Sequence, residues 1–132
     1  MATVIHLKDL AANTTFEPPC NISYGISRET VKNASMVMGY TTSGAQIRNQ
    51  RHYHIHCEVG QYRINGRDRM LLGPDHDQER IDVGPGDFVY IPKGEIHGTI
   101  NLSDQPGLAV FCYVGVGSVE DTQRIYVEPP MK

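Results

Sequence analysis

The stretch Gly86 to Asn101, GDFVYIPKGEIHGTIN, holds glycine, proline, glycine, histidine and asparagine at the spacing G-(x)5-P-x-G-(x)2-H-(x)3-N. That spacing dictates a local shape. Val89, Tyr90 and Ile91 suit a strand; Pro92 fixes φ and removes a ladder donor, and Gly94 supplies the turn freedom that lets the chain re-enter a strand. His97 is thereby placed at the mouth of a hairpin.

Upstream lies RHYHIHCE, in which His52, His54 and His56 are spaced by two, so that in an extended chain their imidazoles leave one face. Imidazole is the commonest protein ligand for transition metals. Two histidines from one strand and a third from a facing strand form a half-cage, so the two segments together predict one metal site.

These two segments resemble the paired motifs of the cupin superfamily. The second motif is matched at every fixed position. The first, G-(x)5-H-x-H-(x)3-4-E-(x)6-G, is matched in part by His52, His54, Glu58 and Gly66, with seven residues between Gly44 and His52 and seven between Glu58 and Gly66. A one-residue slip in a strand exchanges the faces of a sheet, which leaves two registers open. If the extra residue is absorbed after His54, Val59 takes the carboxylate position, Gln61 and Arg63 point inward, and His56 is the natural fourth ligand. If the strand runs regularly, Glu58 points inward with Tyr62 and Ile64. All three upstream histidines reach one ion only if the chain bends after His54, because residues 52 and 56 of a straight strand are about 13 Å apart at ~3.3 Å per residue.

The rest of the sequence agrees with the resemblance. Short extended runs are expected near 3–6, 22–27, 34–41, 45–54, 60–64, 67–72, 79–83, 87–91, 97–102, 108–114 and 124–127. They are punctuated by Asn65-Gly66, Gly73-Pro74-Asp75, Gly84-Pro85-Gly86 and Gln105-Pro106-Gly107. No segment carries a helical period over three turns. The expected fold is all-β: one jelly-roll barrel spanning 1–132, with extended arms at 1–17 and 118–132 that offer edge strands to a partner subunit in a homodimer.

A net charge of −3 with interspersed signs argues against nucleic acid as a partner. Arg63, Arg67 and Arg69 read as a hairpin rim. No apolar run is long enough for a membrane span and no signal peptide is visible, so the expected compartment is the cytoplasm. Three cysteines, Cys20, Cys57 and Cys112, make a poor disulfide framework, and Cys57 reads as a buried small residue.

The resemblance implies one divalent metal in a concave pocket, Zn²⁺ favoured over Fe²⁺, Ni²⁺ or Mn²⁺, held by His52, His54 and His97 with His56 or Glu58. Strand parity adds Gln46, Arg48, Gln50, Thr99 and Asn101 to the metal face. Arg48, Gln50 and Gln61 are the expected orienting groups for a small, oxygen-rich substrate. The chain is similar in size and first motif to the small cupin polyketide cyclases of the resistomycin type, which implies Lewis-acid, aldol-type ring closure. The alternatives are an Fe²⁺ dioxygenase acting on a diketone or phenolic, and a non-catalytic binding barrel.

Overall fold

A computed structural model of the chain describes residues 1–15 and 19–129. Its described strands are β1 (Asn21–Ile26), β2 (Met36–Ser43), β3 (His52–His54), β4 (Val59–Asn65), β5 (Asp68–Leu72), β6 (Glu79–Val83), β7 (Phe88–Ile91), β8 (His97–Asn101), β9 (Gly107–Val114) and β10 (Arg124–Tyr126). They form two five-stranded sheets, ordered β1-β2-β9-β4-β7 and β10-β3-β8-β5-β6, in which every neighbouring pair is antiparallel. The fold is a jelly roll, as the turn punctuation predicts.

Alternation along β9 shows how the sheets close on one another. Ala109, Phe111 and Tyr113 are buried, whereas Leu108, Val110 and Cys112 are half-buried and Val114 is exposed. Phe111 and Tyr113 join Ile22, Val37, Cys57, Val59, Met70 and Ile91 in one core. Gly39 of β2 is required by this packing, since a Cβ there would lie 2.5 Å from the Phe111 ring. The opposite face of the same sheet is apolar and open, with Phe88 83% and Tyr90 65% exposed.

Two expected strands differ. Residues 3–6 are not a strand; they lead into a 3-10 turn over Leu7–Asp9, and the segment touches the sheet through a bridge from Asn13 to Ile22. The run expected over 45–54 is regular only at β3, with one isolated bridge from Arg48 to Ile100. The C-terminal arm folds back onto its own chain: β10 pairs with β3, setting Tyr126 opposite His52 and Arg124 opposite His54. Residues 16, 17 and 130–132 of the expected arms lie outside the described residues. No helix among those residues is long and apolar enough to cross a membrane.

Candidate metal centre

The turn after β7 behaves as its residues dictate. Gly94 has φ +79 and donates its N–H to the His54 carbonyl at 2.8 Å, which brings β8 back alongside β3 and sets His97 directly opposite His52. His52 and His54 leave the same face of β3. Ring centroids are 4.4 Å apart for His52 and His97, 5.0 Å for His52 and His54, and 5.4 Å for His54 and His97. All three are buried, and each offers a ligand nitrogen within 4.8 Å of the others.

Their hydrogen bonds define the tautomers. His52 Nδ1 lies 2.8 Å from the Gln50 carbonyl, and His97 Nδ1 lies 2.9 Å from the Glu95 carbonyl. A carbonyl can only accept, so both Nδ1 atoms carry hydrogen. His54 Nδ1 lies 2.9 Å from Thr122 Oγ1, and that hydroxyl donates to the Val119 carbonyl at 2.7 Å. The hydroxyl hydrogen being engaged, Oγ1 accepts from His54 as well. Three imidazoles held as Nδ1–H tautomers present Nε2 lone pairs to one point, the donor chemistry a divalent transition ion needs. The residues therefore fit the metal.

Neither expected fourth ligand joins them. β4 begins at Val59, buried against the core and lining the interior beside His54 and His97, so the register is the one in which Val59 takes the carboxylate position. Glu58 is turned away. Its Oε2 accepts from the Tyr90 hydroxyl at 3.0 Å on the outer face, a hydrogen bond that pushes the Tyr90 phenol up. His56 lies exposed in the bend after β3, where Ile55 and His56 donate backbone N–H groups to the Thr122 carbonyl. Cys57 next to it is fully buried, and desolvation pushes its thiol up to about 11.

Of the expected orienting groups, Gln61 lines the interior cavity. Arg48 and Gln50 do not. Arg48 Nη2 donates to the Glu128 carboxylate at 2.5 and 2.6 Å, and Gln50 Nε2 donates to the Glu128 carbonyl. Parity counted back from His52 fails because regular pairing stops there, and Asn49 faces the cavity instead, its Oδ1 accepting from Thr99 N–H at 2.7 Å. Thr99 also lines the cavity, whereas the Asn101 amide donates to the Gly44 and Gln105 carbonyls and ties two loops together. Arg63 is not on a rim: it is 4% exposed and pairs with Asp68 inside the barrel. Burial pushes the Asp68 carboxyl up, with Arg63 pulling the other way.

The cavity between the sheets measures about 50 Å³ and reaches from His54 and His97 past Thr99 and Gln61 to Arg63 and Asp68. The family described as Cupin domain matches residues 41–113, which carry the three histidines and most of both sheets. The chain is a cupin. Two curated relatives, glucose-6-phosphate isomerases of Thermococcus kodakarensis and Thermococcus onnurineus, are 34% and 32% identical over 65 residues. Those residues are 47% of this cupin and 34% of each relative. Among solved structures, the polyketide cyclase RemF from Streptomyces resistomycificus superposes with a TM-score of 0.76 at 20% identity, covering 98% of this chain and 87% of that one. A variant of oxalate decarboxylase OxdC from Bacillus subtilis gives 0.75 at 16%, covering 92% and 31%. At these identities the structural matches establish a shared fold.

Sequence reasoning missed Asn49, Thr122 and the pairing of Arg63 with Asp68. The turn that carries Thr122 belongs to neither motif, and its contact with His54 spans 68 positions. For Arg63 the signal existed, in the register that also turns Gln61 inward.

Proposed function

We propose that this cupin is a metal-dependent enzyme that closes a ring in an oxygen-rich polyketide by aldol-type condensation. The observation that carries the reading is the convergence of three Nδ1–H imidazoles at one end of a small polar cavity. The fold match to RemF over nearly the whole of both chains supports it. A divalent ion on these nitrogens, Zn²⁺ favoured, supplies Lewis acidity that draws electron density from a carbonyl oxygen and lowers the pKa of the neighbouring methylene. Gln61 and Thr99 hold the reacting oxygens by hydrogen bonds, and the surrounding Val59, Phe111 and Tyr113 keep bulk water from the enolate. A cavity of about 50 Å³ admits only part of such a chain, so the remainder lies outside it.

One observation favours a second reading. The described site brings together three histidines and neither expected fourth ligand, which leaves open positions for O₂ and substrate beside an Fe²⁺ ion in a dioxygenase acting on a diketone or phenolic. One assay separates the two. With purified chain, metal identification and a poly-β-ketone substrate under nitrogen, ring closure with loss of water is the expected result. Turnover that requires both O₂ and Fe²⁺, without ring closure, rejects the cyclase.

A further inference from the structure

Arg63 and Asp68 flank the Asn65-Gly66 turn and face each other across the two sheets, Arg63 from β4 and Asp68 from β5. They are 4% and 2% exposed, with Arg63 Nη2 lying 3.0 Å from Asp68 Oδ2. Gly107 leaves room for the guanidinium, since a Cβ there would stand 3.1 Å from Nη2. Both side chains line the histidine cavity, at its far end. Asp68 pairs with Asn101 and Leu72 with His97, so the ion pair lies four residues along β8 from His97, about 13 Å at ~3.3 Å per residue.

The pair is incompletely satisfied. Arg63 Nε and Nη2 and Asp68 Oδ1 are buried and have no hydrogen-bond partner among the described residues, the contact of Nη2 with Asp68 Oδ2 being an ion pair without hydrogen-bond geometry. Leaving a donor and an acceptor open inside a barrel is costly unless something meets them. We propose that Arg63 and Asp68 form a second polar subsite that takes a hydroxyl or enol group of a neutral ligand whose other end faces the histidines. The chemistry follows from the charges. The two ions neutralise each other, so a carboxylate gains nothing from Arg63 that Asp68 does not oppose. A hydroxyl next to a carbonyl can accept from the guanidinium while donating to the carboxylate, which matches the open donor and acceptor. The inference rests on reading the interior as a substrate chamber, and it does not depend on which reaction occurs at the histidines.

Ligand-observed NMR titrations of the full chain with hydroxyacetone, acetone and acetate test it. Wild type is expected to bind hydroxyacetone about tenfold more tightly than acetone, which cannot donate, and than acetate, which Asp68 repels. In Asp68→Asn the guanidinium loses its counter-charge, and the preference moves to acetate by about tenfold. Removing one charge of a buried pair threatens folding. The double variant Arg63→Met, Asp68→Leu replaces both ions with apolar groups that such sites tolerate, and it is expected to fold without distinguishing hydroxyacetone from acetone. His97→Ala retains the wild-type preference even when stripped of metal, so loss of the metal site is separable from loss of this one. Equal binding of hydroxyacetone and acetone by wild type, or undiminished discrimination in the double variant, overturns the proposal and leaves a purely structural ion pair.

Discussion

His54 donates its Nδ1 hydrogen to Thr122, whose own hydroxyl hydrogen is committed to the Val119 carbonyl. The threonine therefore acts as an obligate acceptor and points His54 Nε2 into the site. Thr122→Val removes that acceptor with little change of volume. Metal affinity is expected to fall about 10–100-fold, the range typical of lost outer-shell partners, while Thr122→Ser retains most of it. Competition against a chelator measures both, and equal affinities for Val and wild type would remove Thr122 from the site.

Ligand assignment is decided by three substitutions. His97→Ala is expected to abolish stoichiometric metal binding, whereas His56→Ala and Glu58→Ala leave it intact, because His56 is exposed in a bend and Glu58 is bonded to Tyr90. Elemental analysis of the purified variants gives the answer. A full complement of metal in His97→Ala refutes the centre described here.

Protonation opposes metal binding at the same histidines. Each ligand must offer a lone pair at Nε2, so metal affinity is expected to fall as pH drops, because protons compete with the ion for those nitrogens. Chelator competition between pH 5 and 8 follows it. A flat profile would mean that the three imidazoles do not carry the ion.

Glu128 clasps the C-terminal segment onto β3, accepting from Arg51 N–H at 2.7 Å, from Arg51 Nε at 3.0 Å and from Arg48. Arg51 also pairs with Asp75. Burial works against the Glu128 carboxylate, yet the hydrogen bonds from Arg51 and Arg48 outweigh it and hold its pKa below the ordinary 4.5. A depressed folded pKa means that the stabilisation is present above 4.5 and is lost as pH falls through the folded value. Glu128→Gln is expected to cost about 3 kcal/mol at pH 7. That difference shrinks toward zero in acid. Urea melts of the two proteins across this window check the sign.

For assembly, we propose a homodimer in which the N-terminal arm covers a sheet edge of the neighbouring copy. Light scattering at micromolar concentration should give twice the chain mass for wild type. The monomer mass, unchanged by removal of residues 1–15, is the contrary result.

The jelly roll and the three histidines were legible because each depends on short-range pattern: turn residues between strands, a spacing of two in β3, and a proline and glycine that set His97 opposite His52. What surrounds the histidines was not, and the reason is geometric. Period-2 parity holds only while a strand is paired, and pairing lapses between residue 48 and His52, so Arg48 and Gln50 turn to Glu128 and Asn49 turns inward. The extra residue in the first motif is taken up in the bend at 55 and 56, which turns Glu58 outward, a choice made by how Val59 packs across the sheets.

The Thr122 contact also bears on the order of events during synthesis. His54 is oriented by a residue 68 positions later, and Gln50, whose carbonyl orients His52, is held by one 78 positions later. A growing chain that has emerged only through β9 contains every ligand and neither brace. Loop closure over such separations comes late in folding, so the three histidines are fully braced only once the chain has been made past residue 128.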